Sequence, residues 1–223
     1  MKKLLSTLLT SLGIASSAQA APPVVTVDPK TIRFTMPTVA ADEIEFVMPT
    51  KETFTDAPQF HEDEWCQLEF YPANRLQEVK RLLTEFKAFE LRHRTQYGWN
   101  EIYARRIARS TIVAGGDAIA SVRNAVSAKQ LPSPILTTTS NPLGQVKGGF
   151  SLSLPGSVLI YGLSSPVGIS ALGASVSRGG NDSQLTTAFV ALNKSNRLIL
   201  IDWRSQMILV SVASTGEVDV WRP

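Results

Sequence analysis

The chain is short of the residues that carry most catalytic and metal chemistry. It has one cysteine, Cys66, and two histidines, His61 and His93, in 223 residues. A lone cysteine cannot close an internal disulfide, which excludes the stapled folds of small exported domains. Neither an HExxH nor a DxDxDG pattern occurs, so no zinc-protease or EF-hand site can be read. No serine stands in a GxSxG context, and no SxxK lies at a helix start. The glycine pairs in residues 113–117 and 178–182 match no phosphate-binding loop, and the second suits a hairpin turn. No cofactor is expected. Net positive charge is also scarce: the formal +3 falls to +1 without Lys2 and Lys3, too little for sequence-independent nucleic-acid binding. Long apolar runs are few. Residues 157–176 are almost uncharged, yet Pro166 and the interspersed serines and glycines suit strands better than a membrane helix.

What is present begins with an address. Lys2 and Lys3, an apolar run over residues 4–14 and the small-residue site Ala18-Gln19-Ala20 form a bacterial-type secretory signal. Cleavage near Ala20 leaves no cysteine to carry a lipid, and no transmembrane helix is expected in the mature chain. The expected location is periplasmic or secreted.

Residues 21–64 form an acidic, proline-rich stretch whose prolines at 22, 23, 29, 37, 49 and 58 forbid a long helix. The expectation is an extended arm that docks on its own body or on a partner. The clearest periodicity comes next. Leu76, Val79, Leu82, Leu83, Phe86 and Phe89 recur at spacings of three and four, predicting a helix over residues 74–93 with Asn74 as cap and Gln77 as its capping-box partner. Glu90 precedes Arg94 by four, a favourable order for an ion pair. A second helix is expected near Trp99, presenting Trp99, Ile102, Tyr103 and Ile107. A third starts after Asp117, with Ile119, Val122 and Val126 inward, and ends at Pro132 and Pro134.

The fold class read from these patterns is α+β. Its parts are a helical unit over 65–130 with two or three helices between about 74 and 130, a linker over 131–147, and a β-rich unit over 148–223. The last is expected as an antiparallel meander or sandwich over about 148–222, with strands at 149–154, 158–163, 168–177, 185–193, 197–202, 207–213 and 217–221 separated by turn residues.

Charge is unevenly divided. Residues 41–69 carry nine acids against Lys51, and residues 75–109 carry nine basic residues against four acids. The simplest account is mutual neutralisation. The sharper one has Arg92, Arg94, Arg105, Arg106 and Arg109 binding an anionic partner. The chemistry-bearing candidates are few. The run His61-Glu62-Asp63-Glu64 has metal-ligand residue types, but consecutive residues do not usually converge on one ion. Cys66 and His93 would make a nucleophile and base only if the thiol were ionised, and the carboxylates around Cys66 oppose that. Glu64, Glu69 and His93 are the acid/base candidates of a hydrolase. Tyr97-Gly98-Trp99-Asn100 is an aromatic cluster at a glycine.

The leading expectation is a non-catalytic interaction module of the bacterial envelope, an accessory part of a secretion, conjugation or pilus assembly with envelope proteins as partners. The alternatives are an exported hydrolase or toxin-like enzyme acting on the cell wall, and an adhesin built on the C-terminal β unit. On the leading expectation, removing residues 21–60 should leave a folded body.

Overall fold

The computed structural model describes residues 28, 31–139 and 141–223. The signal sequence read over residues 1–20 lies outside the described residues. The chain divides into Met1–Ile32 and Arg33–Pro223. In the first unit, Thr31 turns back so that its N–H and its hydroxyl both donate to Asp28 O.

The second unit opens with short extended pieces between prolines: β1 (Thr38–Ala40), β2 (Phe46–Val47), the single-turn α1 (Lys51–Phe54) and β3 (Gln59–His61). A reciprocal Thr50–Thr53 capping box holds α1. Strand β4 (Leu68–Pro72) then alternates, with Leu68 and Phe70 to one side and Glu69 and Tyr71 to the other. Pro72 ends it, and a 3-10 turn at Ala73–Arg75 leads into α2 (Leu76–His93). The expected stripe is the buried one: Val79, Leu83 and Phe86 are fully covered, and Leu76 and Leu82 partly so. The cap differs. Asn74 is absorbed into the 3-10 turn, and Arg75 takes the boundary position and clamps Glu78 through two 2.8 Å hydrogen bonds.

The expected second helix does not form. Residues 94–117 are instead extended, with β5 (Arg94–Thr95), β6 (Gly98–Trp99), β7 (Tyr103–Arg105) and β8 (Val113–Ala114). Gly98 explains part of this. It sits at φ 124° against Phe34, whose carbonyl oxygen takes the room a Cβ would need, and Phe34 and Trp99 exchange both backbone hydrogen bonds. Tyr103 and Ile107 still cover α2, and the Tyr103 ring lies 5.4 Å from that of Phe86. Their spacing was a signal of burial rather than of helix.

Helix α3 (Ala118–Ala125) begins after Asp117 and buries Val122. It stops well short of Pro132, where Ser127 turns into the left-handed region at φ 53°. Strand β9 (Lys129–Leu131) comes next. The segment expected as a linker carries β10 (Ile135–Thr137) and β11 (Pro142–Val146). Strands β12 (Gly149–Leu154), β13 (Val158–Ser165) and β14 (Gly168–Val176) pair in sequence as antiparallel neighbours. Residues 185–193, expected as a strand, lie inside α4 (Asp182–Asn196). Asn181 caps that helix by accepting from Ser183 N at 2.9 Å, and Leu185, Ala188, Phe189 and Leu192 form its buried side. Strands β15 (Leu198–Asp202), β16 (Met207–Val212) and β17 (Val218–Trp221) complete the chain.

The main sheet runs β17-β16-β15-β4-β14-β13-β12-β9, antiparallel throughout, with β8 against the start of β14. Its centre is β4, where Glu69 stands opposite Gly173 on one side and Ile201 on the other. One face, including Phe70, Leu152, Ile160 and Leu200, is covered by Val122 of α3 and Phe189 of α4. The opposite face is shared. Tyr71, Ile199, Ile201 and Trp203 lie under α2, while Tyr161 and Ala171 lie under Trp65, Cys66, Leu136 and Val146. Leu136 and Val146 belong to a second sheet, β2-β11-β10-β3, and β1 pairs in parallel with β7. The protein is of the α+β class with mostly antiparallel sheets. Residues 33–64 lie in the stretch expected as an extended arm docked on its own body or on a partner; their strands β1, β2 and β3 pair with β7, β11 and β10.

Candidate interaction surface

Where the N-terminal strands meet the main sheet, four charges are taken inside. Glu69, on the inward side of β4, is 1% exposed and receives hydrogen bonds from Arg109 Nη1 and from Trp203 Nε1, the latter at 3.2 Å. Arg109 also grips both oxygens of Asp42, which in turn accepts from Trp65 Nε1 at 2.9 Å. Arg105 donates to Thr38 Oγ1 at 2.9 Å and to Cys66 O at 2.8 Å, with its guanidinium 4.8 Å from the centre of the Trp203 ring. Two arginines thus face two carboxylates. Burial lowers the Arg105 pKa against the pull of Glu69; at Arg109 burial acts the same way but Glu69 and Asp42 overcome it, and the pKa is raised. This cluster joins β1, β4, β7 and the turn after β15 into one piece.

Cys66 sits in the same place, fully buried at φ 53°, its N–H donating to Tyr161 Oη at 3.0 Å. Burial, with Glu69 adding to it, pushes the thiol pKa well up, and burial does the same to Tyr161. Such a thiol is protonated in the fold but ionises in the unfolded chain. Its stabilising contribution is therefore complete below the unfolded thiol pKa of about 8.5 and is lost as pH climbs from there toward the folded value. The thermal midpoint should fall as pH rises above about 8.5, and it should fall less steeply in Cys66→Ala. Equal slopes in the two proteins would show that the thiol does not drive the loss.

The outer side of the N-terminal segment is different in kind. Strand β2 borders the second sheet, and among the described residues only β11 pairs with it. Phe46, Val47 and Met48 are 36%, 42% and 88% exposed, and Phe54 of α1 is 52% exposed. Beside them, Ile44, Phe46, Trp65 and Leu136, with Glu62 and Asp63, line a slot of about 200 Å³. Glu43, Glu52, Asp56 and Glu62 are exposed around this sheet, while Glu45 is tied to Lys147 at 2.6 Å. An apolar strip framed by carboxylates suits binding by contact area and charge rather than bond-making.

A larger cleft of about 400 Å³ opens between the start of α4 and the turn joining β15 to β16. Leu68 and Leu200 line it together with Asp182, Asp202, Glu64 and Arg204, the last two joined at 2.6 Å.

The residues singled out from sequence are dispersed. Glu64 is at this cleft, Glu69 is in the ionic cluster, and His93 stacks on Phe89 with its Nδ1 3.1 Å from Asn100 Oδ1. Of the five arginines, Arg105 and Arg109 point inward. Arg92, Arg94 and Arg106 are exposed, with Arg94 3.5 Å from Glu90. His61 spends its ring nitrogen on Asp63 N at 3.2 Å, capping the 3-10 turn of Glu62–Glu64. Among the described residues, no three metal-ligating side chains converge. Tyr97 lies in the β5–β6 hairpin and is 78% exposed. Sequence reasoning did not anticipate the bare strip at β2, nor Asp42, Trp203 and Arg204 as partners. The alternation of Leu68-Glu69-Phe70-Tyr71 did carry a signal, since it puts a carboxylate beside an inward tyrosine. No protein-family model, no curated protein and no solved structure matches the chain.

Proposed function

We propose that the protein is a non-catalytic interaction module exported to the bacterial cell envelope, an accessory component of a secretion, conjugation or pilus assembly, lying in the periplasm or beyond it after cleavage near Ala20. The observation that carries this reading is the exposed apolar edge at β2, set in a sheet whose Leu136 and Val146 pack against Tyr161 and Ala171 of the main sheet. Edges of this kind bind extended segments of other proteins. The secretory-type N-terminus supports the location, and no helix among the described residues is long and apolar enough to cross a membrane. Cross-linking in the native host, followed by recovery of the full-length protein and mass spectrometry, should return one or two envelope proteins in stoichiometric amounts. Recovery of the protein alone would overturn the reading.

The cleft favours a second reading, an exported hydrolase. It holds Glu64 with Asp182 and Asp202, so such an enzyme would lose turnover in Glu64→Gln without losing stability. It would not depend on His93 or Glu69, neither of which lines the cleft.

A further inference from the structure

We infer that the free edge of β2 receives an extended apolar segment flanked by lysines or arginines, supplied by another protein and added as a further strand of the second sheet. The inference rests on the interaction-module reading and names the chemistry of the partner.

The backbone comes first. Lys147 N donates to Glu45 O at 2.8 Å, and Val47 stands opposite Gln145. In an antiparallel ladder the groups of alternate residues face the same way. With Glu45 and Val47 turned toward β11, the N–H and C=O of Phe46 face outward. Among the described residues no strand takes them. Natural edges are blunted by proline, by lysine or by a covering element. This one is two residues long and is followed by Pro49, but Phe46, Val47 and Met48 stand exposed in succession, and the lysine across from it is already engaged by Glu45. Apolar side chains of an incoming strand would lie along this strip, and the slot between Ile44, Phe46, Trp65 and Leu136 offers room for one of them.

Charge selects the rest. Glu43 precedes the strand, Glu52 and Asp56 come after it, and Glu62 lines the slot; all four are exposed, against the exposed cation Lys51. Asp42, Glu64 and Glu69 are spent on arginines, so the acids left around β2 are the ones that meet a partner. They repel nucleic acid and anionic lipid and attract a basic flank. A second copy of this chain is disfavoured on the same ground, because pairing two β2 edges brings like carboxylates together.

The test uses the full chain and a fluorescent peptide of about nine residues with a valine-rich centre and two lysines at each end, compared with its counterpart carrying glutamates at the ends. Anisotropy should show binding of the lysine peptide that weakens between about 50 and 500 mM salt. The glutamate peptide should bind about tenfold more weakly or not at all. Phe46→Pro removes the outward N–H while leaving the β11 side intact, and Met48→Lys blunts the edge. Each should reduce binding about tenfold, with the thermal midpoint reporting that the fold is kept. Equal binding to both peptides, or full binding by a folded Phe46→Pro protein, overturns the inference. So does self-association that these variants abolish, which makes a second copy the occupant. If cross-linking still recovers envelope proteins with Phe46→Pro, the module reading stands and the site is elsewhere. If nothing is recovered even with the unaltered chain, the module reading itself falls.

Discussion

Replacing Arg109 with alanine should cost about 3–5 kcal/mol of folding stability, a large part of what a domain of this size possesses. The reason is the company it leaves behind. Glu69 is 1% exposed, and the Asp42 side chain is 9% exposed. Without Arg109, Asp42 retains Trp65 Nε1, while Glu69 retains Trp203 Nε1 and the more distant attraction of Arg105. A carboxylate out of water with only a neutral donor in contact pays most of its desolvation unaided. The double variant Glu69→Gln/Arg109→Ala should lose less than the two single changes together, because the Glu69 charge leaves with its partner and only Asp42 is left without its arginine. Urea unfolding of the four proteins measures this directly. A loss below about 1 kcal/mol for Arg109→Ala would mean that the cluster behaves like a surface ion pair.

A chain begun at residue 61 should lose cooperative unfolding altogether. The sequence alone suggests the opposite, a docked arm whose removal spares the body. In the structure the lost segment supplies β1 to β7, β2 to β11 and β3 to β10. It also supplies Asp42 to Arg109 and Thr38 to Arg105. Its loss leaves both arginines short of acceptors and uncovers the cluster around Trp65, Leu136 and Val146. Far-ultraviolet circular dichroism should therefore show a broad, shallow melt in place of a sharp one. A sharp transition within about 5 °C of the parent's would mean that the segment is an appendage after all.

Much of the fold was legible where one period dominated. Six large apolar residues at helical spacing left no rival for α2, and turn residues separated β12, β13 and β14 cleanly. Residues 185–193 carried two signals at once. Thr186, Thr187 and Val190 favour a strand, while Leu185, Ala188, Phe189 and Leu192 form a helical side. The cap at Asn181 decides for helix, although the glycines just before it suit a hairpin turn. Trp99, Ile102, Tyr103 and Ile107 misled because extended residues also cover α2, and local spacing cannot tell which backbone does the covering. The charge division was readable as a sum. That the acidic and basic stretches neutralise each other holds for Arg109 with Asp42 and Glu69, whereas Glu64 finds Arg204, far along the chain. The bare edge at β2 was not legible at all, since exposure of Phe46 to Met48 depends on which strand lies beside them and which does not.

The central position of β4 has a consequence for the order in which the molecule is completed. The groups β12–β14 and β15–β17 each join neighbours in sequence and can form early. They do not touch through β14 and β15, because β4 lies between, pairing residue 69 with residues 173 and 201. Contacts so distant in sequence are slow to make, which places folding in the range of milliseconds to seconds or longer. Until they form, two half-sheets hold open edges toward a strand-wide gap. The strand synthesised before every one of its neighbours is the piece on which closure of the sheet waits.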